Sequence, residues 1–171
     1  FVTGHGEMQL NDIDPARGAS QLDALLRFRR FETQPLELTS ARRVPQDAGV
    51  VIVLAPQTPF LRSEQEILRE YLRRAGRLIL ALNPTREHGL EDLLFEWGVL
   101  VEDVLVIESH PRFRTESDDL LVRGISSEHP ITRSLFDNNL PLVIGATRSA
   151  ARIAAGARAW GSRRAGRVRC R

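Results

Sequence analysis

The seven residues Gly49-Val50-Val51-Ile52-Val53-Leu54-Ala55 constrain this chain more than any other stretch. A run with no polar position cannot be a half-solvated strand. It predicts a strand buried on both faces, as at the centre of a parallel sheet. Pro56-Gln57-Thr58-Pro59 ends that run. Ser63 and Glu66 then read as a capping box that opens a helix. That helix carries Ile67, Leu68, Tyr71 and Leu72 inward and is expected to end near Ala75, with Gly76 as its C-cap. A second buried strand is expected at Arg77–Leu82, closed by Asn83-Pro84.

The same alternation extends in both directions. Phe1-Val2-Thr3 reads as the end of a strand, so the chain is expected to be a fragment of a longer protein. Gly4-His5-Gly6-Glu7 is a tight turn in which glycine can take angles that other residues avoid. Leu22, Leu25, Leu26 and Arg29 recur at helical spacing over 18–31, and Pro35–Leu38 is a short strand. A helix over 89–97 should turn Leu90, Leu93, Leu94 and Trp97 inward and stop at Gly98. Further strands are expected at Val104–Ile107, Leu120–Val122 and Leu140–Ile144, with a loop over 110–119 and a short helix ending near Phe136. Strands alternating with helices predict an α/β fold with helices on both faces of a mostly parallel sheet, a doubly wound, flavodoxin-like, three-layer arrangement.

Charge divides the chain differently. All 24 basic residues are Arg, and eight of them lie from Arg148 onward, where there is no acidic residue. Residues 1–147 carry 16 Arg against 22 acidic residues, a net of −6, and are expected to form the folded domain. An acidic domain argues against nucleic acid as its partner. Residues 148–171 are rich in Arg, Ala and Gly and have too few apolar positions to offset chain entropy. They read either as a disordered or membrane-surface arm or as a stretch that is not native to the domain. No run approaches the roughly 18 apolar residues of a membrane span. The single cysteine, Cys170, has no intramolecular disulfide partner and excludes a Cys-ligated metal.

Candidate chemistry gathers at the strand-end turns. In folds of this class ligands bind beyond the carboxyl ends of the strands. That places His5, Gly6 and Glu7 together with Thr58, Asn83 and Arg86 as candidate ligand-binding residues, with His88 near the last of these. His5 and Glu7 have the chemistry of an acid–base pair, but a plain glycine turn explains the same residues. The turn is no dinucleotide fingerprint, because position 9 is Gln9 where the third glycine belongs. There is no G-x-S-x-G and no P-loop. The four histidines, His5, His88, His110 and His129, lack metal-ligand spacing, and His110-Pro111 and His129-Pro130 read as loop punctuation. No catalytic residue, metal or cofactor is expected.

The turn Val2-Thr3-Gly4-His5-Gly6-Glu7, the block from Val50 to Pro84, the segment Gly89–Glu108 and His129-Pro130-Ile131-Thr132 resemble the GldG-like family over residues 1 to 148. These are auxiliary proteins of uncharacterised ABC-type transport systems, including gliding-motility transporters. Ala75-Gly76-Arg77-Leu78 stands where the family has Gly-Gly-Arg-Leu. The resemblance implies a flavodoxin-like or glutamine-amidotransferase-like domain that lacks the amidotransferase cysteine. It implies a place outside the cytoplasmic membrane, beside an ABC permease and ATPase and held by membrane segments absent from this chain. It also implies likeness to a eukaryotic intraflagellar transport component. A binding or scaffolding role is therefore expected rather than an enzyme. The alternative is a hydrolase or sugar-binding domain that uses the crevice at His5 and Glu7.

Overall fold

The computed structural model describes residues 1–14, 17–84, 86–145, 147–152 and 168–169. The chain divides into two compact units, Phe1–Val99 and Leu100–Arg171. It is a mixed α/β protein with short strands, some of them paired in parallel.

In the first unit β1 (Val2–Thr3) pairs in parallel with β2 (Leu36–Glu37), and β3 (Val51–Leu54) pairs in parallel with β4 (Leu78–Ala81). Between β1 and β2 runs α1 (Ser20–Phe28), between β3 and β4 runs α2 (Arg62–Arg73), and α3 (Glu91–Glu96) follows β4. The two ladders are separate, but β1 lies beside β3. Just past β1, the Met8 N–H donates to the Leu54 carbonyl at 3.0 Å. The apolar run at 49–55 is buried only at its centre: Val51, Ile52 and Val53 are buried, but Val50 is 37% exposed and the strand begins after it. Val51 and Val53 join Val2, Leu38, Leu68, Leu90 and Leu93 in the core, with Leu78 and Leu80 of β4 packed against it. The second strand is not buried on both faces as expected: its residues alternate, and Ile79 is 53% exposed. Burying side chains of this size stabilises the unit by roughly 1.5–3 kcal/mol each.

Four local expectations are corrected. The helix expected to start at Ser63 starts at Arg62, with Leu61 as the N-cap. Glu64, not Glu66, reaches back: its carboxylate accepts from the Leu61 N–H at 2.7 Å. Leu61 is extended at ψ 155, so the first turn forms as soon as the chain clears Pro59. At the other end the left-handed residue is Ala75, with φ 62, not Gly76. The Gly76 N–H donates to the Tyr71 carbonyl and the Ala75 N–H to the Leu72 carbonyl, each at 3.0 Å, which is the Schellman arrangement. Trp97 is half exposed, because it is the C-cap residue of α3, beyond the turns that point Leu90 and Leu93 inward. No residue of α1 is buried, and Leu25 is 53% exposed. Periodicity locates an apolar face but says nothing of what covers it.

The second unit takes in β5 (Val99–Ile107) from its second residue onward, a 3₁₀ turn at Pro111–Phe113, β6 (Leu120–Val122), α4 (Pro130–Asp137), β7 (Leu142–Ile144), β8 (Thr147–Arg152) and β9 (Val168–Arg169). β6 and β7 are antiparallel, with Leu121 opposite Val143, whereas β5 and β9 run parallel in the order β8-β5-β9. His110 and His129 act as the punctuation expected of them. Each ring Nδ1 accepts from a backbone N–H two residues on, at 3.3 Å, and each precedes a proline that opens a helical turn. Of the Arg-rich stretch, residues through Arg152 belong to β8 and 168–169 form β9, while 153–167 and 170–171 lie outside the described residues.

Candidate functional site

The turn that follows β1 is built on two glycines with left-handed angles, Gly4 at φ 114 and Gly6 at φ 74. A Cβ on Gly6 would come within 3.0 Å of the Gln57 Cβ, so glycine is also what lets this turn approach the turn after β3. The contact is sealed through the backbone. The His5 carbonyl accepts from the Gln57 N–H at 2.7 Å and from the Thr58 N–H at 3.1 Å. The turn after β4 closes on the same segment, with the Phe60 N–H donating to the His88 carbonyl at 3.0 Å. The carboxyl ends of β1, β3 and β4 are therefore tied together through their turns.

At the centre of that junction sits a buried charged cluster. His5 is 5% exposed, Glu7 3% and Glu64 1%. The His5 ring pairs through Nδ1 with Glu7 Oε1 at 3.2 Å and through Nε2 with Glu64 Oε2 at 2.9 Å. The other Glu7 oxygen accepts from the His5 backbone N–H at 2.7 Å. The ring stacks on Phe60, with centroids 4.0 Å apart and planes 21° apart. Both ring nitrogens thus face a carboxylate oxygen. Glu64 is the third residue of α2, where the partial positive charge of the helix N-terminus favours a carboxylate. Its Oε1 is buried and has no partner among the described residues.

The cluster joins residues 59 positions apart. Sequence reasoning found His5 and Glu7 and gave Glu64 no role at the site. The available signal was Glu64 itself, an acidic residue in the first turn of a helix that follows a central strand. The other candidates lie around the cluster. Gly6 and Thr58 are exposed, and Thr58 touches His5 only through its backbone. Asn83 and Arg86 share the turn after β4, where the Arg86 N–H approaches the Asn83 carbonyl at 3.5 Å. His88 is buried, and its Nδ1 accepts from the Leu90 N–H at 3.1 Å and lies 3.5 Å from Glu91. Among the described residues no group of three or more His, Cys, Asp or Glu side chains is arranged to hold a metal ion. A second ionic junction, absent from the sequence reading, ties α2 to α3. Arg69 binds Glu96 through two nitrogens, at 2.7 and 3.0 Å, and its guanidinium is held in the charged form first by that pairing and then by Glu66.

A family model described as an ABC-type uncharacterized transport system matches residues 1–143. The chain belongs to that family. This agrees with the auxiliary-protein resemblance at its coarser level. Among solved structures the chain is similar to the mmIFT52 N-terminal domain, with a TM-score of 0.69 and 20% sequence identity. The similarity covers 90% of this chain and 68% of that one. At this identity the likeness speaks for the fold alone. No curated protein matches the chain. Among the described residues of this family member, no helix is long and apolar enough to cross a membrane.

Proposed function

We propose that the chain is a non-catalytic binding or scaffolding module of a GldG-like auxiliary protein, acting beside an ABC permease and ATPase on the outer side of the cytoplasmic membrane. The observation that carries this reading is the family match over residues 1–143. The fold is read as one side of a doubly wound, flavodoxin-like sheet in the spatial order β2-β1-β3-β4. That order is supported by the two parallel ladders and by the contact of β1 with β3. The site supports a structural role for the residues with the best catalytic chemistry. His5 and Glu7 are buried, and their polar atoms are engaged by each other and by Glu64. A hydrolase would need those atoms to face a substrate. Here they fasten the turn after β1 to the start of α2.

The test is to isolate the full-length parent protein from detergent-solubilised membranes and identify by mass spectrometry what accompanies it. A permease and an ATPase recovered in fixed ratio are the expected result. Recovery of the protein alone from the soluble fraction overturns the transporter role. The non-catalytic part is tested separately, by screening the chain and its His5→Ala and Glu7→Ala variants against esters, amides and glycosides. Turnover by the wild type that both substitutions abolish while the fold persists would establish the hydrolase instead.

A further inference from the structure

At the opposite end of α2 a cleft of about 510 Å³ opens between the segment before β3 and the turn into β4. Its apolar lining includes Val44, Ile67 and Tyr71. Its charged lining is unbalanced. The two acidic residues of the cleft are already engaged, Glu66 with Arg69 and Glu70 with Arg74. Arg42, Arg43 and Arg77 also line the cleft, and none of the three has an ion-pair partner among the described residues. Three arginines from two separate segments, none of them in an ion pair among the described residues, thus line one concave space. The unit that carries them is otherwise slightly acidic, with 12 Arg against 14 acidic residues over Phe1–Val99.

A guanidinium presents a planar fork of donors that matches carboxylate and phosphate oxygens. One carboxylate satisfies one such fork. Three forks around one cleft match an anion with several charged oxygens. We propose that this cleft is a binding site for a phosphate group, carried on a small phosphate ester or on the headgroup of an anionic phospholipid. Arg42, Arg43 and Arg77 take the phosphate oxygens, and Val44, Ile67 and Tyr71 offer a less polar surface to the organic part. The site lies before the amino ends of β3 and β4, at Gly49 and Arg77. It is therefore distinct from the His5 junction at their carboxyl ends and independent of the scaffolding role.

The experiment titrates the whole chain with inorganic pyrophosphate by calorimetry. In parallel, the chain is sedimented with vesicles of phosphatidylglycerol or of phosphatidylcholine. Two triple variants are compared with the wild type: R42Q/R43Q/R77Q, and R17Q/R29Q/R30Q, which removes the same charge elsewhere on the unit. Circular dichroism confirms that both fold. The expected result is saturable binding with a Kd below about 1 mM. Binding should weaken at least about tenfold in the cleft variant and less than about threefold in the control variant. Pyrophosphate binding without vesicle binding identifies a free phosphate ester as the source. Selective sedimentation with phosphatidylglycerol that depends on the same three arginines identifies the lipid headgroup. Absence of saturable binding to either probe, or equal loss in the two variants, overturns the proposal.

Discussion

The two ends of α2 are built in opposite ways. At its N-terminus Glu64 caps the Leu61 N–H and pairs with a buried histidine stacked on Phe60. At its C-terminus the chain leaves through Ala75 in a left-handed conformation, and the residues around it open into an Arg-lined cleft. The helix dipole favours both arrangements, with a carboxylate at the positive end and Arg73 and Arg74 at the negative end. The difference lies in solvent. A charge excluded from water must be matched by specific partners, so the closed end tolerates little change. Charges left in water interact weakly, so the open end has guanidinium groups free for a ligand.

The largest expected effect breaks the closed end. Glu64→Ala removes one carboxylate from the cluster and the cap from α2. It should destabilise the chain by about 3–5 kcal/mol, the usual cost of leaving a buried partner unpaired. Glu70→Ala, at the open end, breaks only the exposed pair with Arg74 and should cost less than about 1 kcal/mol. Urea denaturation of both variants checks the contrast, and equal costs would refute it.

Two substitutions at the open end should act with opposite signs. In Gly76→Ala the new Cβ would sit 2.5 Å from the Tyr71 ring. Overpacking of this kind costs about 1–3 kcal/mol. In Ala75→Gly the left-handed residue loses its Cβ, and stability should rise by about 0.5–1 kcal/mol, less than the strain relieved because the unfolded chain gains freedom as well. A thermal melt that drops for Ala75→Gly would mean that the Schellman turn is not what ends α2.

The smallest effect lies on α1, away from both ends of α2. The Asp23 carboxyl is held below its ordinary value of 3.8, first by the Thr33 hydroxyl and then by Arg27. A lowered folded-state value contributes stability that is present above the unfolded value and is lost as pH falls through the folded one. The dependence therefore falls in the acid range, below about pH 4. Thr33→Val should move the Asp23 titration upward in an NMR pH series and leave neutral-pH stability almost unchanged.

Legibility in the sequence followed local physics. Val51–Leu54 and Leu78–Ala81 were readable as strands because each lies in a short apolar run closed by a proline turn, although the second is buried on one face only. The turn at His5 was readable from its glycines, and the histidine caps from the prolines that follow them. The partner of His5 was not, because Glu64 reaches it across 59 residues, and Ser63 with Glu66 offered an equally good local cap. The antiparallel pairing of β6 with β7 was invisible for another reason. Three-residue strands carry no periodicity from which direction can be read. Among the described residues, no buried hydrophobic residue lies beyond Leu93.

The sequence by itself determined the α/β alternation, the two apolar strands, the acidic excess over 1–147 with the Arg-rich stretch that follows it, and the auxiliary-protein family. The first three depend on composition or on spacing within one element, and the family on the resemblance of its motifs. Only the tertiary structure decided that His5 is engaged by both Glu7 and Glu64 at a closed junction, and that Arg42 and Arg43 share an open cleft with Arg77. Both outcomes depend on which distant groups exclude water from a side chain. That exclusion arises only when separate elements pack.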